Sequence, residues 1–274
     1  MKTIVIFSPP TWSPMLFRRA ARFHPARLVI PAVAFALLAP SIAAADRRAF
    51  TRTYEYMTMP KGETEVELYT TQSRATFDDS SPQKFVFQLE LEHGITERWD
   101  VSLYHVFEQT TGAGTMTDPG QPLHLSELKL RTRYRFAERG ELAVDPEAYL
   151  EAVKSFGASE YEAEAKAIVA RDFGLVTVAA NPVFAVKFGS DVVETEVEVG
   201  WAAGVTYEVS PALKLGAETW GGFDLDAPGD AAASAGPALS WAPSQSLWIA
   251  TTVGFGLNDQ ADSFSVRGLI GLHL

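Results

Sequence analysis

From Gly62 to the end of the chain, apolar and polar residues alternate in short runs separated by turn residues. Thr64, Val66, Leu68 and Thr70 alternate with Glu63, Glu65 and Glu67. Phe85, Phe87, Leu89 and Leu91 alternate with Lys84, Gln88, Glu90 and Glu92. Trp99, Val101, Leu103 and Phe107 share one parity, opposed by Asp100, Ser102 and Glu108. Leu128, Leu130, Tyr134 and Phe136 alternate with Lys129, Arg131, Arg133 and Arg135. A period of two is that of a strand with one apolar and one polar face.

Two segments are less regular. Residues 142–155 carry Pro146, which suits a strand edge or a bulge. Residues 160–171 are rich in alanine, which favours a helix on propensity. Their charges at Glu160, Glu162, Glu164 and Lys166 nevertheless fall on every second position, so a strand is predicted. Further strands follow at 176–188, 195–207, 213–218, 234–241, 247–257 and 263–274. The total is about twelve, an even number.

The connections alternate too. Residues 94–98, 137–140, 172–174, 210–211 and 243–246 are short; 74–82, 110–123, 223–231 and 258–262 are longer; 189–193 is intermediate and 157–159 short. Short turns at one end and longer loops at the other, with a last strand that ends flush at Leu274, resemble a bacterial outer-membrane barrel. The fold expected is all-β: a transmembrane up-and-down antiparallel β-barrel of about 12 strands. A soluble sandwich would also alternate. Here, however, one parity is crowded with charge and the other is nearly all apolar, with Trp99, Phe136, Phe173, Trp201, Tyr207 and Phe255 near strand ends. Such aromatics fit the belts at membrane interfaces.

The N-terminus has a different character. Arg18, Arg19, Arg22 and Arg27 precede an apolar stretch at 28–38, too short to span a bilayer, and Ala43-Ala44-Ala45 supplies a cleavage site. Residues 1–45 are read as a signal peptide, with Met15 an alternative start. Residues 46–61 are read as a periplasmic lead-in, and 62–274 as the barrel. Removing 1–45 leaves 18 of the 23 basic residues against all 34 acidic ones, a net of −16, which argues against a nucleic-acid partner. The chain has no cysteine, which excludes disulfides and thiolate metal sites.

The segments 94–104, 125–136 and 207–218 read as repeating phrases of a turn followed by a strand. They resemble hairpins of the putative MetA-pathway-of-phenol-degradation, or outer-membrane transporter-like, barrel family. That resemblance implies an outer-membrane location and transport of small solutes, aromatic or apolar ones included. It brings no catalytic residue and no cofactor. The partners expected are outer-membrane lipid, such solutes, and the barrel-assembly machinery that reads a C-terminal strand.

Lumenal chemistry is the remaining signal. Lys129, Arg131, Arg133 and Arg135 point the same way on one strand, roughly 7 Å apart. Neighbouring strands place Asp100 and Glu108 on one side and Asp145, Glu147 and Glu151 on the other. The predicted lumen and constriction comprise these four bases with Glu63, Glu65, Glu67, Glu90, Glu92, Glu147, Glu151, Glu194, Glu196 and Glu198. Acids outnumber bases, so a conducting lumen would prefer cations. Two readings stand: a passive channel with a transverse field, or a structural or binding barrel closed by internal salt bridges.

An outer-membrane lipid-modifying enzyme is a third reading. Among His93, His105, His124 and His273 only His105 is placed to be tested, and no Ser/His constellation is visible. Asp78-Asp79 and Asp224, Asp226 and Asp230 have the oxygen chemistry of calcium ligands but read more simply as solvated loops. No catalytic, metal or cofactor site is assigned.

Overall fold

The computed structural model describes residues 47–77, 82–115, 118–192 and 194–274, without the side chains of 113–119. The expected signal peptide, Met15 and the Asp78-Asp79 pair lie outside the described residues.

Twelve strands follow one another: β1 (Thr64–Arg74), β2 (Gln83–Thr96), β3 (Trp99–Thr115), β4 (Asp118–Arg135), β5 (Asp145–Ser155) and β6 (Glu160–Phe173), then β7 (Val176–Gly189), β8 (Glu196–Ser210), β9 (Leu213–Asp224), β10 (Ala232–Trp241), β11 (Leu247–Gly256) and β12 (Phe264–His273). Each pairs antiparallel with its neighbours, and β12 returns to β1, closing the barrel. The seam runs from Glu65 opposite His273 to Arg74 opposite Phe264, and the Leu274 N–H donates to the Thr64 carbonyl at 3.0 Å. Closure leaves no strand edge unpaired, which is what hydrocarbon demands of a sheet.

The alternation decides the faces. Leu89, Leu91, Leu103, Leu130, Leu150, Phe184, Leu215, Ile270 and Leu272 are exposed on the outside. Glu65, Glu67, Glu90, Glu92, Asp100, Arg131, Arg133 and Glu147 are buried inside. A soluble sandwich would have the opposite arrangement, so the sandwich alternative is excluded. The alanine-rich segment is β6: Glu160, Glu162, Glu164, Lys166 and Ile168 share the inward parity, and Ala163, Ala165 and Ala167 the outward one. Pro146 is the second residue of β5, and Pro237 sits where the β10–β11 register lapses between Ala235 and Ala238, as a residue without an N–H requires.

Two expectations are corrected. Residues 110–123 do not form an open loop: β3 and β4 keep pairing to Thr115 opposite Asp118, through register shifts, with Gly120 at φ 75. Threonines on the rising strand tolerate the pleat, and a glycine absorbs the bulge. More consequentially, residues 47–60 are not a lead-in beneath the barrel. Ala49, Phe50, Thr51, Thr53, Tyr54, Glu55, Tyr56, Thr58 and Met59 are all buried in the lumen.

Candidate functional site

The inner segment enters at the end where the short turns lie. Lys61 bridges to Gly94, and a side chain at Gly94 would collide with the Met59 and Pro60 carbonyls. It then threads inward past a series of polar side chains on the wall. Asp100 accepts from the Met59 N–H at 3.0 Å, and Glu147 accepts from the Met57 N–H at 2.9 Å. Tyr56 donates to the Ala137 carbonyl and accepts from its N–H at 2.9 Å. Asn181 grips Tyr54 at both ends, accepting from its N–H at 2.6 Å and donating to its carbonyl at 3.0 Å.

The strongest anchor is Glu218 of β9. Its carboxylate accepts the N–H groups of Thr51, Arg52 and Thr53 at 2.7, 2.8 and 2.9 Å, and the Thr252 hydroxyl at 2.5 Å. Beyond this point the segment turns back. Phe50 packs with Ala49, Tyr56, Ala170 and Ala179, in a space kept open by Gly204. Arg47 ends near the turn side again, donating to Ser240 and to the Pro211 carbonyl at 3.1 and 2.6 Å. An irregular segment can be buried this way only because wall side chains satisfy its backbone.

This dependence is testable. Each buried N–H left unpaired costs roughly 1–3 kcal/mol. Glu218→Ala is therefore expected to loosen the segment, so that trypsin cuts after Arg52 in the folded protein while the parent resists. Equal resistance in the two proteins would show that Glu218 is not the anchor.

Behind the segment the wall carries a compact charge network. Arg131 lies between Glu90 and Glu92 at 2.9 and 2.6 Å and also bonds Tyr104 and Ser102 at 2.6 and 2.5 Å. Arg133 meets Glu92, Asp100 at 2.7 Å and Glu147 at 3.7 Å. Tyr69 donates to Glu90 at 2.5 Å and accepts from Arg48 of the inner segment at 2.9 Å. Arg48 in turn reaches Glu67 at 3.8 Å and stacks on Tyr54 at 4.3 Å.

The other predicted lumen residues occupy different levels. Lys129 faces Glu127 and Glu151 above the network, at 3.3 and 3.5 Å. Arg135 lies below it, donating to Thr58 at 2.8 Å and to the Glu97 carbonyl. Glu65 accepts from the Trp248 indole at 3.0 Å. Glu63 precedes β1 and lies 3.3 Å from His273. Glu194 precedes β8, and it, Glu196 and Glu198 are exposed near the loop end. These three do not belong to a constriction: they stand where the strand leaves the wall.

The remaining candidates resolve simply. His105 has outward parity on β3, opposite Leu89 and Leu128, and meets no serine. Among the described residues the carboxylates grouped closely enough to share a cation are Glu67, Glu90 and Glu92, and Arg131 already supplies the positive charge there. Asp224, Asp226 and Asp230 form no such group.

The inner segment was not foreseen because 46–61 has no period. The signal available was its three arginines, Arg47, Arg48 and Arg52, set before an acidic wall.

A closed twelve-stranded antiparallel barrel, apolar outside and charged within, is the fold of outer-membrane channels. The chain is similar to the crystal structure of an outer membrane channel from Pseudomonas putida F1, at a TM-score of 0.65 and 14% identity over 80% of this chain and 98% of that one. It is also similar to the NanC porin, at a TM-score of 0.50 and 10% identity over 76% and 97%. No family model matches the chain, and no curated protein does, so the phenol-degradation resemblance rests on the hairpin phrases alone.

Proposed function

We propose that the protein is an outer-membrane channel for small molecules, shut at rest by residues 47–60 and conducting when they shift. The observation that carries this reading is the way the segment is held. Most of its contacts are polar and exchangeable for water, backbone N–H groups on side-chain acceptors and Arg48 on Tyr69 and Glu67 among them, and its apolar packing is confined to the patches around Phe50 and Tyr54. Above it lies an open cavity of about 510 Å³ floored by Arg52 and Arg267.

Acids predominate on one side of the outer lumen, Glu162 and Glu164 on β6 and Glu196 and Glu198 on β8, with Lys166 paired to Glu164 at 2.6 Å, whereas Arg267 and Lys84 stand on β12 and β2. A transverse field of that kind orients a passing dipole. The acidic excess of the chain favours cations as the carried ions. The likeness to the phenol-degradation family points the solute class toward small aromatic or apolar molecules.

A second reading, a barrel whose lumen stays closed, is favoured by the buried network around Arg131 and Arg133. Planar-bilayer recording separates the two. The channel reading expects discrete conductance steps from the wild-type protein, with a reversal potential on the cation side. Silence of both the wild-type protein and a protein lacking residues 47–60 selects the closed barrel, and an anion-side reversal potential removes the acidic-lumen part.

A further inference from the structure

The outer cavity is lined by Arg52, Arg267, Lys84, Trp220, Val86 and Ala232, among others. Two of its cations have unusual partners. Arg52 stacks on the Trp220 ring at 4.2 Å and makes one long bond to Ser265 at 3.4 Å, and its Nε is buried with no acceptor. Arg267 donates to the Thr51 carbonyl at 3.1 Å and the Thr71 hydroxyl at 2.9 Å and lies over the Tyr69 ring at 5.1 Å. Among the described residues neither guanidinium forms an ion pair with a carboxylate within 4.0 Å, in a lumen where most other buried bases do.

The nearby acids do not change this. Glu218 accepts three N–H groups and two hydroxyls, and Asp262 is the cavity's carboxylate, on the loop side. Lys84 is shared with Glu108 at 2.8 Å and is half exposed. Burial, and then the like charge of Arg267, press the Arg52 pKa below its ordinary value. Two guanidiniums with no carboxylate in direct contact, beside an indole, form a fork for a planar anion whose body is apolar. The apolar part has Val86, Trp220, Ala232 and Ala261 to lie against.

We propose that this cavity is a binding site for small organic anions with a flat apolar body, such as aromatic carboxylates, held between Arg52 and Arg267 with Lys84 at the rim. The inference deepens the channel reading and rests on it for the consequence that a solute held here passes inward; the preference for an anion is local to Arg52 and Arg267, whereas inorganic ions follow the acidic excess of the lumen as a whole. Equilibrium binding is measured apart from passage, so the two can fail separately.

The experiment is calorimetric titration of the folded, detergent-solubilised protein with benzoate, benzylamine and benzyl alcohol, which share a ring and differ in charge. Benzoate is expected to bind saturably and more tightly than the other two. Arg52→Gln should weaken it about tenfold or more, the loss of one charge-assisted contact. Lys84→Gln, at a half-exposed rim position, should weaken it several-fold without touching the inner segment. Benzylamine or benzyl alcohol binding as well as benzoate would overturn the proposal. So would an unchanged benzoate affinity in both variants, or no saturable binding at all. Benzoate binding by a protein that never conducts would leave this site standing and remove the channel.

Discussion

Deleting residues 47–60 is expected to raise single-channel conductance several-fold and to make the current strongly cation-selective. The segment occupies the middle of the lumen, from Met59 beside Asp100 to Arg52 beneath the outer cavity. A twelve-stranded barrel lies between filled eight-stranded barrels and open sixteen-stranded porins, so its interior, once cleared, admits water and ions. The deletion removes Arg47, Arg48 and Arg52 and one acid, Glu55, a net loss of two positive charges. Glu218 loses the N–H groups it accepts and becomes a solvated carboxylate facing the pore, whereas Glu147 and Asp100 lose theirs but keep Arg133. The barrel itself is expected to survive, because its closure rests on the β1–β12 ladder and not on the segment. Bilayer recordings of the deletion and the parent, under a salt gradient, test this. An unchanged conductance would mean that the wall network, not the segment, is the block.

Arg131→Ala is expected to be the most destabilising single substitution in the wall. Arg131 is buried between two buried glutamates, and removing it leaves Glu90 without its counter-charge and Glu92 with Arg133 alone. Breaking a buried ion pair from one side costs about 3–5 kcal/mol. The penalty comes from the abandoned acids, so Arg131→Met combined with Glu90→Gln and Glu92→Gln should recover much of the loss. Urea unfolding in lipid vesicles, followed by heat-modifiable gel mobility, reads both variants. Equal midpoints for Arg131→Ala and the parent would mean that water reaches the network and screens it.

How much of this could be read from the residues differs between wall and filling. The strands were legible because every second residue must choose between an apolar exterior and a charged interior. That rule held even for β6, where alanine propensity pointed to a helix. The pairing of Arg133 with Asp100 follows from adjacent strands in register. Arg131 reaching Glu90 and Glu92 does not: β2 is two strands from β4, and those contacts pass over Ser102 and Tyr104 on β3. The inner segment was illegible for a related reason. Its order comes from Asn181, Glu218 and Asp100 on distant strands, and such contacts leave no period in sixteen residues of mixed character. Glu194 was misplaced by continuing the alternation two residues beyond the start of β8.

The strands differ in height. β3 and β4 have 17 and 18 residues, whereas β10, β11 and β12 have 10 each. At about 3.3 Å per residue, seven extra residues add roughly 23 Å of strand. The extra length lies at the loop end, nearly opposite β10 in the ring. The mouth is therefore cut obliquely, like the lip of a jug. Trp220 of β9 stands on the side of the low lip, and the raised hairpin of β3 and β4 stands across the mouth from it.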